Sequence, residues 1–213
     1  MAYTTIDNGE EHFNTVLYTG NASARNITGV GFQPDWLWIK QRSGTTYHRL
    51  YDSTRGAGKE IYSNTTDAES NGSSDQMSAF ISDGFSIPSS GGNYTNINTA
   101  TYAAWNWKCN GGTTSSNSDG DITATVQANT TAGFSIVTYT GNGNASAQTV
   151  GHGLGAECKV VIAKSRSIGD ESWRVFHESA SQSGGGNLFL NGTSGLDTSD
   201  PARITSTNTT TFT

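Results

Sequence analysis

Charged residues, proline and cysteine are all scarce in this chain of 213 residues. Charged side chains make up only 14% of it, and it contains 3 prolines and 2 cysteines. The formal net charge is −6, and no cluster of Lys and Arg offers the basic surface that neutralises nucleic-acid phosphates. We therefore expect no nucleic-acid partner. A regular apolar rhythm with so few prolines argues against disorder as well.

Long hydrophobic runs are also missing from the sequence. No stretch approaches the roughly 18 apolar residues of a membrane span. Residues 1–11 contain no apolar core of a signal peptide. We expect no membrane insertion, and synthesis in a host cytoplasm followed by export through assembly or lysis. Cys109 and Cys158 occupy unrelated places in the repeat described below, so two buried thiols are expected rather than a disulfide within one domain.

In place of charged residues, the sequence is rich in serine, threonine, asparagine and glycine, with 26 glycines. These residues compete with the helical backbone or lose too much entropy in it. The Thr, Tyr, Trp, Val and Ile residues favour strands, and turn signals separate the apolar stretches every 8 to 12 residues or so. The pattern predicts an all-β protein, an antiparallel β-sandwich of the jelly-roll or concanavalin-like type.

An internal repeat is the most informative feature of the sequence. Its period, roughly 120 residues, exceeds the roughly 20–50 residues of solenoid repeats, so each copy is predicted to be a domain. The second copy keeps apolar residues where the first has them. The aligned segments are 13–21 with 134–142, 36–39 with 160–163, 40–43 with 164–167, and 47–53 with 173–179.

The repeat predicts two tandem β-sandwich modules. Module 1 is placed at residues 1–111, a Gly/Ser/Thr/Asn linker at 112–120, and module 2 at 121–213. The closing strand of module 1, near residues 102–108, has no counterpart before Thr213. A missing strand leaves apolar core and a strand edge uncovered. Either the chain is a piece of a longer protein, or another chain donates the strand.

Eight motifs stand out along the chain, at residues 5–7, 13–21, 29–35, 83–85, 107–108, 110–117, 132–141 and 151–155. These motifs resemble repeated modules in tail-fibre and other virion structural proteins of marine bacteriophages. The resemblance spans essentially the whole sequence. It implies a phage particle component built of concanavalin-like jelly rolls, in a family that no catalytic motif defines. Cys109, Cys158 and the early stop of module 2 depart from that pattern.

No constellation in the sequence makes a convincing catalytic or metal site, so neither catalytic residues nor cofactors are predicted. His177, Glu178 and Ser179 are consecutive, and adjacent strand residues point to opposite faces. A Gly-x-Ser-x-Gly turn is absent. Acid pairs for glycoside cleavage occur only in polar loops, and no His/Cys set has zinc spacing. The acid pairs are Asp67/Glu69, Asp119/Asp121, which calcium could also use, and Asp197/Asp200.

Aromatic residues are the remaining candidates for ligand contact. Trp36 and Trp38 share one strand face and could stack on sugar rings, but Val160 and Ile162 replace them in the second copy. Core packing is therefore the preferred interpretation of this pair. Tyr94, within a Gly/Asn/Thr-rich loop, is the better, though weak, candidate for an exposed aromatic contact; no other binding residue is predicted.

Together these observations predict a non-enzymatic virion protein of a tail fibre or similar appendage. It would extend the structure and adhere to host-surface glycans or proteins, together with other virion proteins and as a homo-oligomer, with a trimer favoured. A capsid decoration or filament subunit, completed by strand donation, is the alternative. A polysaccharide depolymerase is a third and less favoured hypothesis.

Overall fold

The computed structural model describes residues 6–71, 76–89, 94–181, 186–199 and 204–213. The chain divides into two compact units. Unit 1 comprises Met1–Ser63 and Glu69–Thr113, and unit 2 comprises Asn64–Ala68 and Thr114–Thr213. The number of repeated modules and their predicted boundaries stay predictions. The strand expected at residues 3–6 lies almost entirely outside the described residues.

The described residues of unit 1 form nine strands in two antiparallel sheets. The larger sheet has the order β1-β9-β3-β4-β5-β6, and the smaller one has the order β2-β8-β7. Each strand is short, and Gly, Asn or Asp residues separate most of them. The strands are β1 (Phe13–Thr19), β2 (Arg25–Thr28), β3 (Trp36–Gln41), β4 (Arg49–Asp52), β5 (Lys59–Tyr62), β6 (Ser70–Asn71), β7 (Ala79–Ile81), β8 (Gly84–Ile87) and β9 (Thr101–Trp107).

The two sheets of unit 1 enclose one apolar core. Leu37, Tyr51 and Tyr102 contribute from the six-stranded sheet, and Ile27 and Phe85 contribute from the three-stranded sheet. Alternate residues of each strand reach this core because strand side chains alternate between faces. Unit 1 is therefore a β-sandwich with its core between the sheets.

Strand β9 is the second strand of the larger sheet and lies between β1 and β3. It pairs antiparallel with β1 on one side, from Phe13 opposite Trp107 onward. It pairs antiparallel with β3 on the other side, where Trp36 also lies opposite Trp107. Strands that are distant in the sequence thus meet through the last strand of the unit.

Unit 2 repeats much of this arrangement in smaller sheets. Its sheets have the orders β10-β11-β12, β13-β17 and β14-β15-β16, and a single helical turn, α1 (Glu178–Ser181), follows β15. Every strand pairing in them is antiparallel. The strands are β10 (Ser115–Asn117), β11 (Ala124–Asn129), β12 (Phe134–Tyr139), β13 (Val150–Gly151), β14 (Val160–Ala163), β15 (Arg174–His177), β16 (Leu188–Phe189) and β17 (Thr211–Phe212).

The register of the strand pairs corrects one part of the predicted repeat alignment. Leu37 lies opposite Tyr51, and Val161, its counterpart, lies opposite Phe176. Tyr51 therefore corresponds to Phe176, and the predicted alignment of 47–53 with 173–179 is displaced by one residue. A backbone hydrogen bond agrees: Ser53 N donates to Asp35 O as Glu178 N donates to Lys159 O, both at 2.9 Å.

The predicted all-β, antiparallel sandwich class is confirmed. Two details of the strand assignment were wrong. Residues 80–87, expected as one strand, form the β7–β8 hairpin, in which the Asp83 carboxylate accepts hydrogen bonds from Gly29 N and Gly31 N. Ser115–Asn117, expected in a flexible linker, pair with β11. Within the described residues, no helix has the length and apolar character to span a membrane.

Candidate functional site

Tyr94, the aromatic residue singled out in the sequence, lies beside a buried ion pair of unit 1. Its ring is 51% exposed, and its centroid is 5.2 Å from the guanidinium carbon of Arg49. On β5, the Tyr62 ring lies at the same distance from that carbon. Tyr47, which is 50% exposed, contacts Tyr62 with a centroid separation of 5.0 Å. We call Tyr47, Arg49, Glu60, Tyr62 and Tyr94 the tyrosine–arginine site.

Sheet pairing explains why these residues meet. Arg49 on β4 lies directly opposite Tyr62 on β5. Arg49 also shares a strand face with Tyr51, which reaches the core between the sheets. Glu60 is two residues from Tyr62 and points to the same face. Tyr94 then brings a second ring to the guanidinium group of Arg49.

The carboxylate of Glu60 organises the buried part of the site. It accepts hydrogen bonds from the hydroxyls of Tyr51 and Tyr62, the latter at 2.5 Å, and it forms an ion pair with Arg49 at 2.5 Å. Only 2% of Glu60 is exposed. Three donors thus satisfy a charge that would be costly to bury alone. The arrangement holds Arg49 and Tyr62 in fixed positions.

The charges of the site set the pKa values of its members. Burial raises the pKa of Tyr62, and hydrogen bonding to Glu60 raises it further, to about 12. Burial and the Glu60 charge likewise raise the pKa of Tyr51 well above its ordinary value. For Arg49, burial lowers the pKa, but the Glu60 charge, the hydrogen bond to Glu60 and the two neighbouring tyrosines together outweigh burial, so the net shift is upward. Arg49 is therefore a permanent cation whose charge Glu60 balances.

One donor of the site lacks a partner. The Nε atom of Arg49 is buried and forms no hydrogen bond to any described residue. A buried donor without an acceptor costs about 1–3 kcal/mol. The site therefore presents two exposed rings beside a neutralised ion pair. Such a surface suits a neutral ligand that has flat apolar faces and hydroxyl groups.

The tryptophans occupy the other face of the six-stranded sheet, which corrects the prediction that Trp36 and Trp38 pack in the core. Leu37 and Ile39 fill the core instead. Trp36 and Trp38 are half-buried on the opposite face. There Trp36 contacts Trp107 with ring centroids 4.7 Å apart, and Phe13 and Trp105 extend the cluster. We call these five rings the tryptophan face.

His48 borders the tryptophan face and does not form a triad. Its Nδ1 atom accepts a hydrogen bond from Trp38 Nε1 at 3.1 Å. Burial, and then the charge of Lys40, lower the pKa of His48. In unit 2, His177 Nδ1 accepts from Ser179 N, while Glu178 binds Lys159 at 2.6 Å. These side chains make separate local interactions at strand ends and do not converge on one position.

The loop carboxylates are engaged in local interactions. Glu69 is buried in an ion pair with Arg55, and Asp67 accepts from the Thr65 hydroxyl. Asp119 accepts from Asn117. The remaining acids bind their own loops: Asp121 accepts from Thr149 and Asp197 from Ser199, while Asp200 lies outside the described residues.

Metal ligands and thiols complete the survey of reactive groups. Among the described residues, no three His, Cys, Asp or Glu side chains converge as a metal site would require. Cys109 and Cys158 are buried free thiols, as predicted. Burial, together with the Glu157 charge, raises the pKa of Cys158. A raised pKa keeps that thiol protonated and unreactive.

Asp35 is the most densely bonded acid of unit 1, and the sequence analysis assigned it no role. Its carboxylate is fully buried and accepts hydrogen bonds from Cys109 N at 2.6 Å, Gly111 N at 2.9 Å and Gly112 N at 2.8 Å. The Ser53 hydroxyl donates a fourth at 2.6 Å. Asp35 thereby fastens the chain that leaves β9 to the start of β3. The only signal in the sequence was its position immediately before an apolar strand.

Unit 2 lacks the tyrosine–arginine site although it keeps the strands. By the strand register, Arg174 replaces Arg49, and Phe189 replaces Tyr62. Phe176 stands where unit 1 has Tyr51, and Asn187 where it has Glu60. Without these hydroxyls and the carboxylate, Arg174 pairs with Glu171 at 3.1 Å instead. The site is a feature of unit 1.

Sequence comparison places the chain in a family without assigning it an activity. Neither a curated protein nor a solved structure gives a significant match. One family, described as "Domain of unknown function (DUF7483)", matches residues 8–213. Because this match covers nearly the entire sequence, the chain belongs to the DUF7483 family.

Proposed function

We propose that this chain is a non-enzymatic adhesion module of a phage virion, a component of a tail fibre or similar appendage, and that it binds host-surface glycans through the tyrosine–arginine site. The observation that carries the glycan proposal is the pair of half-exposed rings, Tyr47 and Tyr94, beside the Arg49–Glu60 ion pair. The virion setting comes from the sequence resemblance to phage particle modules.

The chemistry of the site favours a neutral glycan over an anionic ligand. Glu60 already balances the charge of Arg49 at 2.5 Å, so an anion gains little attraction there. Tyrosine presents a flat apolar ring for the C–H face of a sugar and a hydroxyl for hydrogen bonds. Single contacts of this kind are weak, and several copies on one particle raise the avidity.

Glycan binding is tested with a glycan array followed by titration calorimetry of the best ligand. Truncation of a central aromatic contact costs more than about 1 kcal/mol, so Tyr94→Ala is expected to weaken binding about tenfold. Tyr94→Phe keeps the ring and most of the affinity. Ile168→Ala, at a 58% exposed apolar residue of unit 2 outside the strands, serves as the control and leaves affinity unchanged. Equal affinity of Tyr94→Ala and the unchanged chain overturns the site.

The virion setting needs a separate experiment. Mass spectrometry of purified particles from a host culture detects the chain if it is a structural component. Its absence from particles, with expression in the infected cell, overturns this part of the proposal. Sedimentation of the purified chain tests the expected homo-oligomer, for which a trimer is favoured by analogy to fibres.

An assembly role is the second candidate function, since unit 2 leaves strand edges open. A capsid decoration or filament subunit completed by strand donation would use those edges, and an open polymer in sedimentation would favour it. A depolymerase has less support, because the loop acids are held by Arg55, Thr65, Thr149 and Ser199. Release of reducing ends from a polysaccharide, abolished by one carboxylate substitution, would favour that activity.

A further inference from the structure

Unit 2 has strands that correspond to those of the larger sheet of unit 1, but they form two separate sheets. In unit 1, β9 lies between β1 and β3 and pairs with both. The counterparts of these neighbours, β12 and β14, belong to separate three-stranded sheets and each is the last strand of its sheet. No other strand within the described ranges pairs with the second edge of either one.

Both open strands of unit 2 face the same core. Val137 on β12 and Val161 on β14 pack against one apolar cluster that includes Val126 and Phe212. Their counterparts in unit 1, Val16 and Leu37, likewise share one core. Since β12 and β14 line a common core in this way, the place between them corresponds to the place of β9. We call it the strand slot.

Residues at one end of β12 and just after β14 lie close together. In unit 1, Thr101 begins β9 opposite Thr19, and Arg42 N donates to Thr101 O at 2.7 Å. The counterparts of Thr19 and Arg42 are Thr140 and Arg166. In unit 2 these two residues line one cavity of about 250 Å³, which also extends over residues of β10, β11 and β12. Thr140 and Arg166 are therefore near each other, as Thr19 and Arg42 are around the first residue of β9.

Apolar side chains along the strand slot are exposed where their counterparts are covered. Val160 is 48% exposed and Ile162 is 39% exposed, while Trp36 and Trp38 are half-buried. Tyr139 is 44% exposed. Its counterpart Tyr18 stacks on Tyr102 of β9, with centroids 4.8 Å apart and an interplanar angle of 12°. A strand with aromatic side chains, placed as β9 is in unit 1, would cover these exposed residues.

We propose that the strand slot between β12 and β14 binds a β-strand that is not part of residues 6–213, antiparallel to both strands and with the residue pattern of β9. Two facing rows of backbone N–H and C=O groups recognise an extended chain. A small residue such as Ala104 fits between Val137 and Ala163, whose counterparts flank it in unit 1. Aromatic residues at alternate positions cover Val160 and Ile162.

The experiment uses the intact chain and a labelled peptide with the sequence of residues 101–108, TYAAWNWK. Fluorescence anisotropy is expected to show saturable binding with one peptide per chain. The matched control peptide carries Ala104→Pro, which removes a backbone donor and the extended pairing. Its affinity is expected to fall about tenfold or more. Equal binding of the two peptides overturns the proposal, because a non-specific contact does not need the ladder.

Two chain variants locate the binding. Ile162→Lys places a charge in the strand slot and is expected to weaken the peptide about tenfold. Ile168→Lys, at an isoleucine of unit 2 that is 58% exposed outside the strands, leaves the affinity unchanged. Amide exchange adds an independent readout. The peptide is expected to protect β12 and β14, and protection confined to unit 1 overturns the proposal.

The source of the strand is distinguished in the same preparation. Sedimentation of the chain without peptide shows whether a second copy already occupies the slot. A stable dimer that the peptide does not dissociate, with β12 and β14 protected in it, assigns the slot to a second copy and overturns a partner strand. None of these outcomes depends on glycan binding, since the tyrosine–arginine site lies in unit 1 and is tested by Tyr94→Ala.

Discussion

Strands β3 and β14 are both apolar and occupy aligned positions, but their surroundings differ. On β3, Leu37 and Ile39 are fully buried, whereas Val161 and Ala163 on β14 are only half-buried. The difference follows from β9, which covers one edge of β3, whereas no strand of the described residues pairs with the corresponding edge of β14. Burial of a strand is therefore a property of its neighbours as much as of its own residues.

The same pair of strands differs in how the adjoining turn is held. Asp35, before β3, is buried and accepts four hydrogen bonds, three of them from the backbone that follows β9. Lys159, its counterpart before β14, is exposed and pairs with Glu157 and Glu178 at the surface. Asp35 can be buried as a carboxylate in unit 1 because the backbone that follows β9 supplies N–H donors to it. Four predictions test this contrast.

The largest effect is expected from Asp35→Ala. Removal of the carboxylate takes away the acceptor of the N–H groups of Cys109, Gly111 and Gly112, the first of which is buried, and we expect this to lower the free energy of unfolding by about 3–5 kcal/mol. Tryptophan fluorescence in a urea titration measures this change, because four of the five tryptophans lie in unit 1.

The control is Lys159→Ala, which removes only exposed ion pairs and should leave the urea midpoint where it is. Similar midpoints for Asp35→Ala and the unchanged chain would show that the bonds to the β9 segment contribute little. The contrast between the two turns would then lose its physical basis.

The second effect compares matched core positions. Leu37→Ala creates a cavity in a closed core and is expected to cost about 3 kcal/mol. Val161→Ala removes a half-exposed side chain and should cost about 1 kcal/mol, since solvent already reaches that position. Urea unfolding of the two variants, followed by far-UV circular dichroism, measures both costs. Equal costs would mean that β14 is as well covered as β3.

The third effect concerns backbone opening. Amides of Val160–Ala163 are expected to exchange about tenfold faster than those of Trp36–Gln41, because β14 is an edge strand and β3 is central. Hydrogen exchange read by mass spectrometry or NMR tests this. The comparison becomes sharper when the β9 peptide is added, since a filled strand slot should reduce the difference. Equal rates without peptide would contradict the open edge.

The smallest effect is a pH dependence confined to unit 1. The pKa of Tyr62 is raised to about 12 by burial and by Glu60, above the ordinary value of 10.0. The unfolded chain therefore releases this proton first, so stability is complete below pH 10 and falls between pH 10 and 12. Tyr62→Phe should reduce that fall. Urea midpoints at pH 8 and pH 11 measure it, and an unchanged fall in Tyr62→Phe would exclude Tyr62 as its cause.

The alternation of residues along each strand predicted the fold class, but it did not show which face of a strand packs in the core. On β3 both sets of alternate residues are apolar, Trp36 and Trp38 on one side and Leu37 and Ile39 on the other. Either set could fill a core on hydrophobicity alone. The small sheet β2-β8-β7 covers the side of Leu37, and that packing of one sheet on another decided against the tryptophans.

The candidate site shows the same limit over longer distances. Tyr94 was found in the sequence as an aromatic residue in a polar loop, which is a local signal. Arg49 and Glu60 gave no such signal, because charged residues in short strands usually face solvent. Their burial depends on the pairing of β4 with β5 and on hydroxyls from Tyr51 and Tyr62.

The sequence by itself determined the all-β class, the positions of most strands and the two buried thiols. Each of these follows from composition or alternation, which are properties of neighbouring residues. Only the tertiary structure decided which face of β3 is core, how the strands of the two units align beyond β3, and which residues surround Arg49. The physical reason is that sheet order brings together residues far apart in the chain.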